Sequence, residues 1–216
     1  RARKYRYVAI TDHSKGLGVA HGLDEGRVRR QIEAIDAANR KLSGFRILKG
    51  IEVDIRGDGT LDLPDALLSE LDIVVASIHS GFRQPGDQLT KRLVAAIRNP
   101  YVSVIAHPTG RLLGEREAYP VDMEAVLSEA ARTGTALEIN AYPLRLDLSD
   151  AHARAAKRQG IPLAISTDAH ILGNLDFMGY GVSIARRAWL APGDVLNTLP
   201  LPTLEKRLRA MRGKSV

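Results

Sequence analysis

Ile161-Pro-Leu-Ala-Ile-Ser-Thr-Asp-Ala-His170 is the stretch that decides the fold. Its apolar part, Ile161 to Thr167, is short and continuous, as suits a strand covered on both faces. It delivers Asp168 and His170 at its end. Along a strand, residues i and i+2 point to one side, so a carboxylate and an imidazole in this spacing reach a single centre. An Asp-x-His is a weak signal alone and gains weight only from repetition.

The pattern does repeat. Tyr7–Thr11 runs into Asp12-His13, Ile47–Ile51 into Glu52, Asp72–Ile78 into His79, and Val102–Ala106 into His107. Four of the six histidines therefore share one structural position, which histidines chosen for packing would not do. Amphipathic segments separate these runs. Asp24–Leu42 places Val28, Ile32, Ile35 and Leu42 on one face, with Asp24 as N-cap. Asp65–Leu71 is a short helix, Gln88–Arg98 stops at Asn99-Pro100, Asp122–Arg132 ends before Gly134, and Ser149–Gln159 is closed by Gly160. Ala136–Asn140 is a sixth strand. After Gly173 the pattern loosens through Gly179-Tyr-Gly181 into a helix over Arg186–Trp189 and a basic helix over Thr203–Arg212. Strand and helix in alternation with short connections predict a parallel α/β sheet of barrel type, whose C-terminal rim carries the chemistry.

Bulk properties narrow the class. With 216 residues the chain is one domain, long enough to bury a full core. No run of about 18 apolar residues exists, so no transmembrane helix is expected, nor is a signal peptide. The absence of cysteine excludes disulfides and thiolate metal sites and, with the previous point, predicts a cytoplasmic protein without membrane partners. The formal charge of +6 suits a polyanionic partner such as nucleic acid, although basic residues spread over helix faces account for it equally well. The first strand begins almost at once after Arg1-Ala-Arg-Lys4. A closed barrel needs about seven or eight strands, so at least one is expected to be missing.

Four imidazoles, Glu52 and Asp168 offer only nitrogen and oxygen donors, a set suited to Zn²⁺, Mn²⁺ or Fe²⁺. One tetrahedral site would not use all six, so two or more ions with a bridging carboxylate are expected, the usual device for attack on phosphate esters. His13, Glu52, His79, His107, Asp168 and His170 are the candidate ligands. A glutamate at a buried strand end is unfavourable unless paired or bound to metal. Asp12 is expected to face away and orient a neighbour or cap a turn, and Asp54 to structure the loop with Arg56-Gly-Asp-Gly59. His21, in the glycine-rich loop between Gly18 and Gly22, and His152, opening a helix, read as non-ligands. Lys15, Arg83 and Arg111 follow the ligand positions and are candidate phosphate contacts, with surface salt bridges as the alternative, and Asn140, ending the sixth strand, is a candidate substrate contact.

Thr11-Asp-His-Ser14, Gly50-Ile-Glu-Val-Asp54, Ser77-Ile-His79, Ala106-His-Pro108 and Ser166-Thr-Asp-Ala-His170 resemble the metal motifs of the polymerase and histidinol phosphatase (PHP) domain. Asn99-Pro-Tyr-Val, His107-Pro-Thr-Gly-Arg-Leu-Leu113, Thr135-Ala-Leu-Glu-Ile-Asn140, Arg145-Leu-Asp-Leu and Ala185-Arg-Arg-Ala-Trp-Leu190 are similar to the C-terminal PHP domain of bacterial family X DNA polymerase. The resemblance implies a distorted (β/α)7 TIM-like barrel with two or three divalent ions, Mn²⁺ and/or Zn²⁺. It implies that Glu52 bridges, with His79 and His107 on one ion, Asp168 on the ion sharing Glu52, and His13 with His170 on a third. It makes Glu52, His107 and Asp168 the catalytic residues of a 3′→5′ exonuclease, with DNA 3′ ends as substrate and polymerase and helix-hairpin-helix domains as partners in a parent chain. Residues 1–216 would then be an N-terminally incomplete PHP domain, because the family's first strand, with a His-x-His pair and a following Asp, has no counterpart here. The competing expectations are a phosphomonoesterase of the histidinol-phosphate type and a truncated, non-catalytic fragment.

Overall fold

The computed structural model describes residues 2–16 and 21–212, leaving Arg1 and Gly18 of the expected features outside the described residues. Six strands form one parallel sheet in sequence order: β1 (Tyr7–Ile10), β2 (Arg46–Asp54), β3 (Ile73–Ser77), β4 (Val104–Ile105), β5 (Ala136–Asn140) and β6 (Leu163–Ser166). Between and after them come α1 (Glu25–Arg40), α2 (Asp65–Leu68), α3 (Gly86–Arg98), α4 (Met123–Thr133), α5 (Asp150–Arg158), α6 (Met178–Arg187) and α7 (Leu201–Met211). The sheet curls into a distorted α/β barrel, as expected.

Local chemistry sets the helix limits. Asp24, Asp122 and Ser149 each cap a helix N-terminus by accepting from backbone N–H groups, and Gly134 ends α4 in the left-handed region. Several boundaries differ from the sequence expectation, β4 shrinking to Val104–Ile105 and α2 to Asp65–Leu68, and two differences bear on the site. β2 is nine residues long and contains Glu52 and Asp54 rather than ending before them. Gly179 and Gly181 lie inside α6, where Gly181 lets the helix approach β6: a Cβ there would sit 2.4 Å from Ile165 Cγ2. Packing thus overrides the poor helix propensity of glycine.

The two faces of the sheet bury different sets. Ile51, Val53, Val74, Ala76, Ile105, Leu137, Ile139, Leu163 and Ile165 pack outward against helices, with Leu89, Leu93, Ala96 and Ile97 from α3 and Val126 and Ala130 from α4. The alternate residues Leu48, Val104, Ala136 and Ala164 face the concave side, covered by Leu204, Leu208 and Met211 of α7. By the period-2 rule this concave face also receives Glu52, Glu138 and Asn140. A small-residue interior with three polar groups along its rim is how the sheet makes room for a site.

The turn after β4 depends on Gly110, which has φ +62°. A Cβ there would lie 1.7 Å from Cζ of the buried Tyr119. Gly110→Ala should therefore destabilise the chain by about 3 kcal/mol or more, adding backbone strain to overpacking. Urea denaturation checks this; a loss below about 1 kcal/mol would mean that Tyr119 moves aside freely.

Candidate metal centre

Glu52 is the hub of the rim. Its carboxylate lies 3.5 Å from His13 Nδ1, 3.4 Å from His79 Nε2 and 3.3 Å from His107 Nε2. The rings cluster accordingly: His13 to His79 is 5.0 Å between centroids, His79 to His107 5.4 Å, and His13 to His170 6.0 Å. His13 extends the parallel pairing, bridging directly to Glu52, and Ser14 donates to the Glu52 carbonyl at 2.9 Å. His170 Nδ1 reaches Asp168 twice, 2.9 Å from its carbonyl oxygen and 3.8 Å from Oδ1. All six candidate ligands are thus brought to one rim.

Two of them arrive differently from the strand-alternation argument. β6 ends at Ser166, and Asp168 sits in a turn at φ +50°, so Asp168 and His170 converge through that turn rather than along a strand. His107 follows β4 at φ +30°, out of phase with the concave face. Its backbone N–H donates to Glu138 Oε2 at 2.7 Å, while Thr109 and Gly110 N–H donate to Asp147 Oδ2 at 3.0 and 2.9 Å. Two buried carboxylates from β5 and its loop hold the turn that presents the imidazole.

The electrostatics follow from this crowding. Burial pushes Glu52 upward, but the His107 and His79 imidazoles overcome it and hold the carboxyl well below its ordinary range. Burial opposes the charging of His79, yet Asp54 and Glu52 outweigh it and raise the imidazole to about 9. Burial lowers His13. Glu138 is raised to about 8 by burial and by the neighbouring charges of Glu52 and Asp168, and Asp147 is raised by burial.

The donor set fits divalent metal. His13, Glu52 and His79 could hold one ion, each offering an atom within 4.8 Å of the others. His13 Nδ1, Glu52 Oε1 and His107 Nδ1 are buried without a hydrogen-bond partner in the protein. Such atoms are unfavourable unless a further group completes them, and nitrogen and oxygen donors in this arrangement suit a cation. A cavity of about 1410 Å³ opens beside them between β1 and β6, lined by Ile10, Ile165 and Val182 and reaching His13, Glu52, Asp168 and His170.

The remaining candidates separate. Asn140 Nδ2 lies 3.3 Å from both Glu138 Oε2 and Asp168 Oδ2. Arg111 spends its guanidinium on the carbonyls of Arg145, at 3.0 Å, and Leu146. Lys15 is exposed, 3.9 Å from Glu25, and Arg83 is exposed at the rim. Asp12 accepts from Gln31 of α1 at 2.5 Å, turned away from the cluster as expected. Asp54 does more than shape its loop, accepting from His79 N–H at 3.1 Å and lying 3.6 Å from its Nδ1. Its own N–H donates to Ser14 Oγ at 3.1 Å, and the Ser14 hydroxyl donates in turn to Asp62 at 2.7 Å. His152 sits on α5, and neither it nor His21 contacts the cluster among the described contacts.

Sequence reading missed Glu138, Asp147 and Arg145. Arg145 Nε lies 3.3 Å from Asp168 Oδ2. Glu138 was detectable in principle, as a charged residue inside a strand whose five residues are all buried. Asp147 and Arg145 carry no such signal, because loop folding alone brings them to the rim.

No family model matches the chain. It is 50% identical over 205 residues to the DNA polymerase/3′-5′ exonuclease PolX of Bacillus subtilis, covering 95% of this chain and 36% of that protein. The chain thus spans about a third of that relative's length. A probable phosphatase of Thermoanaerobacter sp. (strain X514) is 33% identical over 202 residues, covering 88% of this chain and 77% of that protein. A probable phosphatase of Syntrophotalea carbinolica is 33% identical over 213 residues, covering 94% and 83%. With half of its residues shared with a family X polymerase/exonuclease and a third with phosphatases, on a parallel barrel whose rim gathers imidazoles and carboxylates, this chain belongs to the polymerase and histidinol phosphatase family.

Proposed function

We propose that this chain is a metal-dependent phosphodiesterase domain that removes nucleotides from DNA 3′ ends within a longer, cytoplasmic, polymerase-containing parent. The observation that carries the hydrolase reading is Glu52 set within 3.3–3.5 Å of three imidazoles. The exonuclease choice rests on likeness to PolX, and the parent on the 36% of that protein the chain spans. Among the described residues no helix is long and apolar enough to cross a membrane.

In this reading Glu52 would be shared between two ions, His79 and His107 would help hold one, Asp168 would help hold the other, and His13 with His170 would serve a third. Bound Mn²⁺ or Zn²⁺ would draw charge from the scissile phosphate and favour in-line attack by water. The chain's own residues do the positioning. Asp54 fixes the His79 backbone and ring, Glu138 fixes the His107 backbone, and Asn140 steadies the Asp168 carboxylate. Such supporting hydrogen bonds set the orientation and basicity of ligands.

The test offers the chain, with Mn²⁺, a 5′-labelled single-stranded oligonucleotide and a small phosphomonoester. A ladder of shortened products with release of nucleoside monophosphates is expected. Phosphate release from the monoester without a ladder would replace this reading by the phosphomonoesterase one, which the phosphatase relatives favour. Neither product would leave a non-catalytic module.

A further inference from the structure

We propose that Arg145 is a substrate contact, its guanidinium binding a non-bridging oxygen of the phosphate ester beside Asp168; this rests on the phosphoesterase reading above. The turn that carries Arg145 is fastened to the His107 loop along its length. Within the turn, Arg145 and Leu146 N–H donate to the Tyr142 carbonyl at 2.8 and 3.0 Å. Leu113 N–H donates to the Leu144 carbonyl at 2.6 Å, and Arg111 donates to the carbonyls of Arg145 and Leu146. Asp147, fully buried, accepts from Thr109 and Gly110 N–H. Leu146 is held at φ +44°, a conformation that persists only when its surroundings enforce it. Two loops on neighbouring strand ends are thereby joined, and the side chain they deliver over the centre is an arginine.

Its hydrogen bonding is incomplete in a telling way. A guanidinium has five donors arranged as a fork. Arg145 uses Nε on one Asp168 oxygen at 3.3 Å, a long single contact where a structural ion pair would be two-pronged. Nη1 is buried with no partner in the protein, although the side chain is only 17% exposed. Other arginines near these loops are engaged: Arg92 gives its terminal nitrogens to Ser80 and Ile55 carbonyls and to Gln84, Arg111 gives Nε and Nη2 to the turn, and Arg116 gives Nε to the Gly110 carbonyl and stacks 4.2 Å over the Phe82 ring. An unpaired charged donor at the edge of a metal cluster is unfavourable in isolation and favourable once an anion arrives. Planar, forked geometry makes phosphate the anion it fits. In this role Arg145 would bridge a metal-binding carboxylate and the substrate, so that the phosphate is oriented relative to the ions.

The experiment is calorimetric titration of the Mn²⁺-equilibrated chain with inorganic phosphate and, separately, with thymidine 5′-monophosphate. Arg145→Gln should weaken both at least tenfold, and Arg145→Lys, which keeps the charge but loses the fork, should fall between. Bound Mn²⁺ per chain and the thermal midpoint should stay at wild-type values in both variants. Unchanged phosphate affinity in Arg145→Gln, or no phosphate binding by the wild type, would overturn the proposal. So would a loss that tracks lost Mn²⁺ in both variants, since Arg145 would then only position Asp168. If phosphate binding depends on Arg145 while the wild type cuts neither DNA nor the monoester, the phosphoesterase reading fails and the phosphate site stands.

Discussion

Glu52→Gln is expected to abolish phosphodiester hydrolysis and strip the chain of tightly bound metal while leaving its circular dichroism unchanged. The substitution is isosteric, so packing around β2 has no reason to alter. It replaces a charged oxygen that three imidazoles surround at 3.3–3.5 Å with a neutral amide. As the proposed bridging ligand, Glu52 would help hold two ions, so the loss should exceed the ten- to hundredfold typical of supporting residues. If the ions contribute several kcal/mol to the reaction, the rate falls by about a thousandfold or more. Metal content by elemental analysis and cleavage of a labelled oligonucleotide measure the two effects. His152→Ala, at the start of α5, is the control and should change neither. A Glu52→Gln chain with wild-type metal content and activity would remove Glu52 from the bridging position.

Glu138→Gln should instead stabilise the metal-free chain, and do so only at neutral and alkaline pH. Burial and the charges of Glu52 and Asp168 raise the folded-state pKa of Glu138 to about 8, against an ordinary value of 4.5. Below pH 4.5 the carboxyl is protonated whether folded or unfolded, and the group contributes no pH dependence. Between those values the folded state keeps a proton that the unfolded state has released, so stability falls as pH rises. Above about 8 the folded chain bears the whole penalty of a buried, repelled carboxylate. At ~1.4 kcal/mol per pKa unit that penalty is about 5 kcal/mol. A glutamine never ionises, yet its carbonyl oxygen can still accept the His107 N–H that Glu138 holds at 2.7 Å. Urea denaturation in EDTA should therefore show no difference near pH 4 and a gain approaching about 5 kcal/mol at pH 8 to 9. A pH-independent difference would assign the effect to packing rather than charge. Added Mn²⁺ should shrink the gain, because cations in the cluster stabilise the carboxylate.

These two residues show what could be read before folding and what could not. Glu52 stood out because it ends an apolar run in phase with others that end in histidine. Glu138 lies in an equally regular strand, yet its importance comes from Glu52 of β2 and from Asp168 and His107, which reach it from just beyond the ends of β6 and β4.

The amino-acid sequence alone determined the alternation of strand and helix, the parallel sheet and the placing of six donor groups at strand ends, because periodicity and short apolar runs are local properties of the chain. The tertiary structure decided how those donors are aimed. His107 and Asp168 take left-handed backbone conformations outside any strand, at φ +30° and +50°. Buried Glu138 holds the His107 turn and Asp147 the residues just beyond it, while Arg145 reaches Asp168 through a turn clamped by a neighbouring loop. The physical reason is that hydrogen bonds between residues far apart in the chain, made where water is excluded, choose among backbone conformations that local propensity leaves open.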